Sequence, residues 1–186
     1  DSIVYAGFFC VLSASPNAGG AEVRGGSDDG WTTEKVPQVW EHTGGNPYQR
    51  NREFSWYRCR IAVPDSWKDR QLEVFIEAVD DAREAYWNGT LIGSLGSLPP
   101  AYRSGLGAQS RYPIPPENIR FGGVNQLAVR VFTNDSRGGF NVAAPAVFAG
   151  PEAISLKGDW QARRGDDPAW SRITNSKETG AEPFSV

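Results

Sequence analysis

The sequence predicts an all-β chain of the sandwich or barrel class. Short segments rich in aromatic and β-branched residues recur along it, and long amphipathic helix patterns are absent. Its 21 glycines and 13 prolines are spread along all 186 residues and punctuate those segments. Many short strands separated by turns are the signature of packed or closed antiparallel sheets.

The elements follow in order. Ile3 to Leu12 (IVYAGFFCVL), with the small residues after it, reads either as the tail of a secretory signal peptide or as a buried first strand. It is too short to span a bilayer, and Asp1 stands where a positive start would be. Phe54 to Val63 is a strand ended by Pro64, and Gln71 to Val79 alternates as a central strand. Ala85-Tyr86-Trp87 and Leu91-Ile92-Gly93 flank Asn88-Gly89, the strongest short hairpin signal, because both turn residues tolerate positive φ. Arg111 to Pro115 is an edge strand, since proline cannot donate to a ladder. Gln126 to Thr133 alternates again, with Leu127, Val129 and Val131 inward. Ala146 to Leu156 holds one or two strands and Asp159 to Arg163 another. Pro64 to Lys68 and Pro115 to Ile119 are short helical turns. From Arg172 to Val186 the chain is polar and aperiodic, as in a linker or the start of another domain.

Composition excludes several functions. The net charge of −3 lacks the electrostatic footprint of a general nucleic-acid or anionic-membrane binder. Two cysteines exclude a disulfide-dense scaffold and a four-cysteine zinc site, and one histidine excludes a multi-histidine metal centre. Cys10 is able to pair with Cys59 if the first segment is a strand; otherwise Cys59 is a lone buried thiol, and a free, buried structural cysteine is the preferred reading. No methionine is present, so a processed chain or a piece of a longer one is expected.

An ordered set of residues carries a family resemblance. It runs through Trp31, Val36-Pro37-Gln38-Val39-Trp40, Ser55-Trp56-Tyr57-Arg58, Ile61-Ala62-Val63-Pro64 with Trp67, and Val79-Asp80-Asp81. It continues through Glu84, Tyr86, Asn88-Gly89, Ile92-Gly93, Tyr112-Pro113-Ile114-Pro115, Gly122-Gly123-Val124-Asn125, Leu127 to Val131 and Gly138-Gly139. From about Gly30 to Gly150 the chain resembles the sugar-binding jelly-roll domain of glycoside hydrolase family 2. It is even more similar to the β-sandwich within sialate O-acetylesterase-type proteins. The resemblance implies a galactose-binding-domain-like jelly-roll β-sandwich over 28–156, after a signal remnant or first strand at 1–27. Leu156 to Trp160 and Gly165 to Trp170 look like the connector before a further domain, so 157–186 is assigned as connector. It also implies an accessory role, because the family's catalytic residues lie in other domains. The esterase motif Gly-Gln-Ser-Asn is missing; Gly107-Ala108-Gln109-Ser110-Arg111 is a superficial echo. The family 2 barrel with its catalytic glutamates is missing too.

Candidate site residues lie where strands leave the sheet. Asp80, Asp81 and Glu84 concentrate carboxylates that suit a structural Ca²⁺, sugar hydroxyls, or ion pairs with Arg83, Arg103 or Arg111. The loop from Leu98 to Ser110 carries Tyr102 and Arg103, an aromatic to stack on a sugar ring and a cation to grip hydroxyls. Asn134, Asp135 and Arg137 form a polar, Gly-ended loop after the strongest strand. Trp87, beside the hairpin turn, and Trp40 are the tryptophans to examine for exposure. Trp56 and Arg58 face one side of their strand and Tyr57 the other. Asn88-Gly89-Thr90 and Asn134-Asp135-Ser136 match the glycosylation pattern.

Catalysis within the chain is disfavoured. His42 sits in a Gly-rich loop, and no serine lies in a nucleophile elbow. Asp80, Asp81, Glu84 and Asp135 are the only carboxylates to weigh for glycoside hydrolysis, and nothing in the sequence fixes their spacing. The expected function is a non-catalytic carbohydrate-binding accessory domain of a secreted or periplasmic glycan-active hydrolase. The alternative is a structural sandwich that packs on a neighbouring catalytic domain. The expected partners are a glycan and that domain, with no nucleic acid and no membrane span. No cofactor is expected, and a structural Ca²⁺ stays open.

Overall fold

The computed structural model describes residues 30–39, 52–134, 139–140 and 143–172. Every strand pairing among them is antiparallel, and the strands form three sheets. In chain order they are β1 (Thr32–Val36), β2 (Gln38–Val39), β3 (Glu53–Ala62), β4 (Leu72–Ile76), β5 (Val79–Asp80), β6 (Ala82–Trp87) and β7 (Thr90–Leu95). Then come β8 (Ser110–Pro113), β9 (Val124–Thr133), β10 (Gly139–Phe140), β11 (Ala146–Ala149), β12 (Glu152–Ser155) and β13 (Gly158–Arg164). The large sheet has the order β1-β13-β3-β9-β6-β7, facing a sheet of order β12-β11-β4-β8; a small third sheet is β2-β10-β5.

Period-two alternation builds the core between the large sheets. Tyr57, Cys59 and Ile61 of β3, Leu127, Val129 and Val131 of β9, and Trp160 of β13 point inward from one side. Leu72, Val74 and Ile76 of β4 with Val147 and Ala149 of β11 meet them from the other. β9 is buried on both faces because it runs between β3 and β6 and its outer face is also covered. That outer cover is a second cluster of Trp31, Trp56 and Ala128, joined by Tyr86 and Trp170.

The hairpin forms as the Asn-Gly turn dictates. Asn88 has φ 49° and Gly89 φ 87°, the double positive φ of a type I′ turn. The Asn88 amide fastens the turn: it donates to Asn118 O (2.7 Å) and Asn125 Oδ1 (2.9 Å), and it accepts from Gln126 N (2.8 Å). Both expected helical turns appear as 3₁₀ turns, at Asp65–Trp67 and Pro116–Asn118. β8 lies at a sheet edge and β4 is central, as expected. Cys59 is buried; Cys10, Trp40 and His42 lie outside the described residues.

The structure corrects two boundaries. The segment Gln71 to Val79 is not one strand: after β4 the chain changes sheets, and Val79–Asp80 pairs with β10. The boundary at 156/157 cuts through the sandwich. β13 lies between β1 and β3, with Trp160 fully buried in the core. The following 3₁₀ turn Pro168–Ser171, capped by the Asp167 carboxylate accepting from Ala169 N (2.9 Å), lays Trp170 on the outer aromatic cluster.

Candidate functional site

The loop between β7 and β8 is held shut by its own backbone. Ser97 and Arg103 exchange both N–H···O bonds (2.8 and 3.0 Å), and Gly105 N donates to Asp81 O (2.8 Å). Asp81 in turn donates its N–H to Phe132 O (3.0 Å), which anchors the loop to the end of β9. The Asp81 carboxylate accepts from the hydroxyls of both Tyr102 and Ser104. The Tyr102 ring lies 5.2 Å from that of Phe132, and the side chain stays half-buried. Burial, then the bond to Asp81, pushes the Tyr102 pKa up. Beside this cluster opens a hollow of about 380 Å³, lined in part by Arg103, Ser104, Leu106 and Ala108.

Arg83 secures the loop from beneath. It is 1% exposed, and its Nη2 donates to Ile76 O (3.2 Å), Ala108 O (3.2 Å) and Ser110 Oγ (3.1 Å). No hydrogen bond reaches its Nε or Nη1, and burial drives its pKa down. Such a cation is costly to bury, so its place is defended by the loop carbonyls it organises.

Of the expected carboxylate cluster, Asp81 and Glu84 do not come together. Glu84 points to the outer face of the large sheet, where it accepts from the Tyr86 hydroxyl (2.6 Å) and pairs with Arg130 (3.0 Å). Arg130 also holds Asp166 (2.6 Å), and its guanidinium lies 4.7 Å from the Phe54 ring centroid. The cause is register: Glu84 lies directly opposite Arg130 across β6 and β9. The Tyr86 pKa is pushed up to about 12, chiefly by burial and next by its bond to Glu84. Of Asp80, only the backbone is described. Among the described residues no three His, Cys, Asp or Glu side chains group to hold a metal ion.

The expected ion pairs are also reassigned. Arg83 meets carbonyls and a hydroxyl, Arg111 pairs with Glu73, and Arg130 is the cation that holds Glu84. Trp87 is not a surface stacking residue. It is fully buried in the core, because it shares the inward face of β6 with Ala85. Asp81 and Tyr102 do come together, Arg103 flanks them, and Asn134 follows the end of β9 with a buried Oδ1 that has no hydrogen bond. Asp135 and Arg137 lie outside the described residues.

Sequence reasoning missed Ser104, Arg130, Asp166 and Trp170. For Ser104 the signal was its place two residues before Leu106, whose N–H it accepts (3.1 Å) in a hydroxyl turn. The other three needed the strand register, which no local pattern carries.

The family model for the beta-galactosidase second all-beta domain matches residues 27–137. A calcium-binding mutant of beta-glucuronidase 2 from Bacteroides uniformis is similar at 20% identity and TM-score 0.50, over 73% of this chain and 15% of that one. A beta-glucuronidase from Ruminococcus gnavus in complex with D-glucuronic acid matches at 10% identity and TM-score 0.41, over 74% of this chain and 30% of that one. Another structure of Ruminococcus gnavus beta-glucuronidase matches at 16% identity and TM-score 0.42, over 68% of this chain and 22% of that one. The chain thus spans less than a third of the length of these solved proteins. No curated protein matches. Among the described residues no helix is long and apolar enough to cross a membrane.

Proposed function

This chain belongs to the family of the beta-galactosidase second all-beta domain, an accessory all-β domain of glycoside hydrolase-type proteins, and from that premise we propose that it binds saccharide without catalysing its hydrolysis. The observation that carries this reading is the Tyr102–Asp81–Ser104 cluster beside an open hollow. An aromatic ring supplies the apolar contact a sugar face needs, and a carboxylate has lone pairs left for hydroxyls after two bonds. The loop is fixed in advance by Arg83 and Asp81, so little ordering entropy is lost on binding. A non-catalytic role is supported by the carboxylates themselves. Asp81 faces the hydroxyls of its own loop while Glu84 pairs with Arg130 on the outer face of the sheet, so the two do not flank one cleft as the carboxylates of a glycosidase do.

The reading extends to a larger protein. The domain would sit in a secreted or periplasmic glycoside hydrolase, with a jelly-roll winding, next to the domain that performs the hydrolysis. A glycoside hydrolase is favoured over an esterase because the matching family is a β-galactosidase domain.

Affinity electrophoresis of the chain through gels containing galactans, glucuronans or other soluble glycans tests this. Retardation by one glycan class, weakened about tenfold in Kd by Tyr102→Ala, is expected, in line with the loss of one aromatic contact. Hydrolysis of a chromogenic glycoside by the pure chain, or free migration in every gel, would overturn it.

A further inference from the structure

The inner face of the large sheet changes character toward one end. Along β3 the inward residues run Ile61, Cys59, Tyr57 and then Ser55; along β13 they run Trp160, Ala162 and then Arg164; along β1, Val36 gives way to Glu34 and Thr32. The apolar half belongs to the core. The polar half lines a cavity of about 290 Å³ whose walls include Thr32, Glu34, Ser55, Tyr57, Arg163 and Arg164.

Ser55 gives this cavity its meaning. The residue is 1% exposed, and its Oγ has no hydrogen-bond partner. A buried hydroxyl without a partner costs free energy, and an alanine or valine here would pack against Val131 opposite it without that cost. Around it stand groups of both polarities. Arg164 is exposed and lies 4.0 Å from Glu53, so its guanidinium has donors to offer. Glu34 is an acceptor, and Thr32 Oγ1 donates to Ala162 O (3.1 Å) while keeping its lone pairs for an incoming donor. Ala162 and Tyr57 form the apolar wall, with the Tyr57 ring backed edge-on by Phe140 at 5.2 Å.

We propose that this groove is a second binding site, separate from the end-loop hollow, for a neutral polyol of one-ring size such as a single hexose unit. The volume lies at the small end of ligand cavities, roughly 300 Å³, which suits one ring rather than a chain. Interleaved donors and acceptors suit a ligand whose hydroxyls both give and take protons, and the two arginines of the walls already face partners of their own, Arg163 over the Trp170 ring (4.1 Å) and Arg164 beside Glu53 (4.0 Å), which fits a neutral ligand. The groove is spatially independent of the loop. β13 and β6 are three strand spacings apart in the sheet, roughly 14 Å, and the loop cluster meets Phe132 on the opposite face.

The test is a titration of the isotope-labelled 186-residue chain with methyl β-galactopyranoside and methyl β-glucopyranoside, followed by amide chemical shifts. Saturable shifts are expected at residues 32–34, 55–57 and 162–164. Ser55→Val and Arg164→Gln should each weaken that binding about tenfold, the loss of one hydrogen bond, while Tyr102→Ala leaves it unchanged. Arg164 is exposed, so its variant decides the matter even if Ser55→Val unfolds. Still amides in this group with both glycosides, or an Arg164→Gln affinity equal to that of the unaltered chain, would overturn the proposal. Shifts confined to residues 81 and 102–106 would overturn it too, while leaving the end-loop reading intact.

Discussion

Replacing Trp87 separates a core residue from a sugar-stacking one. Its side chain is fully buried and faces the opposite sheet, next to Leu127 in register. A tryptophan buries about 150–250 Å², which at ~25 cal/mol/Å² amounts to roughly 4–6 kcal/mol as an upper bound. Truncation to alanine therefore costs about 3–5 kcal/mol, in the range seen for buried aromatics. For a chain of this size that lowers Tm by roughly 6–20 °C. Phenylalanine behaves differently. The indole Nε1 has no hydrogen-bond partner, so Trp87→Phe opens a small cavity but also removes a buried N–H whose desolvation costs about 1–3 kcal/mol. The net loss should stay below about 2 kcal/mol. Thermal unfolding followed by circular dichroism measures both variants, alongside their retention in glycan gels. The reasoning fails if Trp87→Ala melts within about 2 °C of the unaltered chain while losing saccharide affinity, since that is how an exposed stacking residue behaves.

Two further predictions concern the outer face. Arg130→Leu leaves the half-buried Glu84 and the exposed Asp166 without their cation and removes the contact with Phe54, so denaturant unfolding should show a loss of about 1–2 kcal/mol, less than for a fully buried pair. Tyr86, with its pKa pushed from 10.0 to about 12, binds its proton more tightly folded than unfolded. Its stabilisation is thus complete below pH 10 and is lost as pH rises from 10 through about 12. Stability measured across that window should fall, and Tyr86→Phe should flatten the fall; a phenolate absorbance curve with every tyrosine titrating near 10 would contradict it.

Local chemistry made much of the fold legible. The Asn88-Gly89 turn forms because few residue pairs accept two positive φ angles, and β9 was visible because Leu127, Val129 and Val131 alternate. β1 was invisible for a physical reason: Thr32, Thr33, Glu34 and Lys35 make a polar edge strand with only Val36 buried in the core. β13 was visible as a strand but not as a neighbour of β3, since their pairing joins residues about a hundred positions apart and no local pattern encodes it. The same limit governed the site. Asp81 and Tyr102 are both legible as loop residues but their meeting is not, and Glu84 is grouped with Asp81 by sequence proximity although the pleat turns it toward Arg130. Trp87 was misplaced by its nearness to the turn, although the alternation with Ala85 points it inward.

Calorimetric titration of the 186-residue chain with a panel of soluble glycans, with and without Ca²⁺, tests the central claim most directly. The account predicts saturable heat with one glycan class, unchanged by Ca²⁺ and diminished by Tyr102→Ala. A flat response to every glycan from a chain that melts cooperatively would contradict it and leave the sandwich a purely structural role.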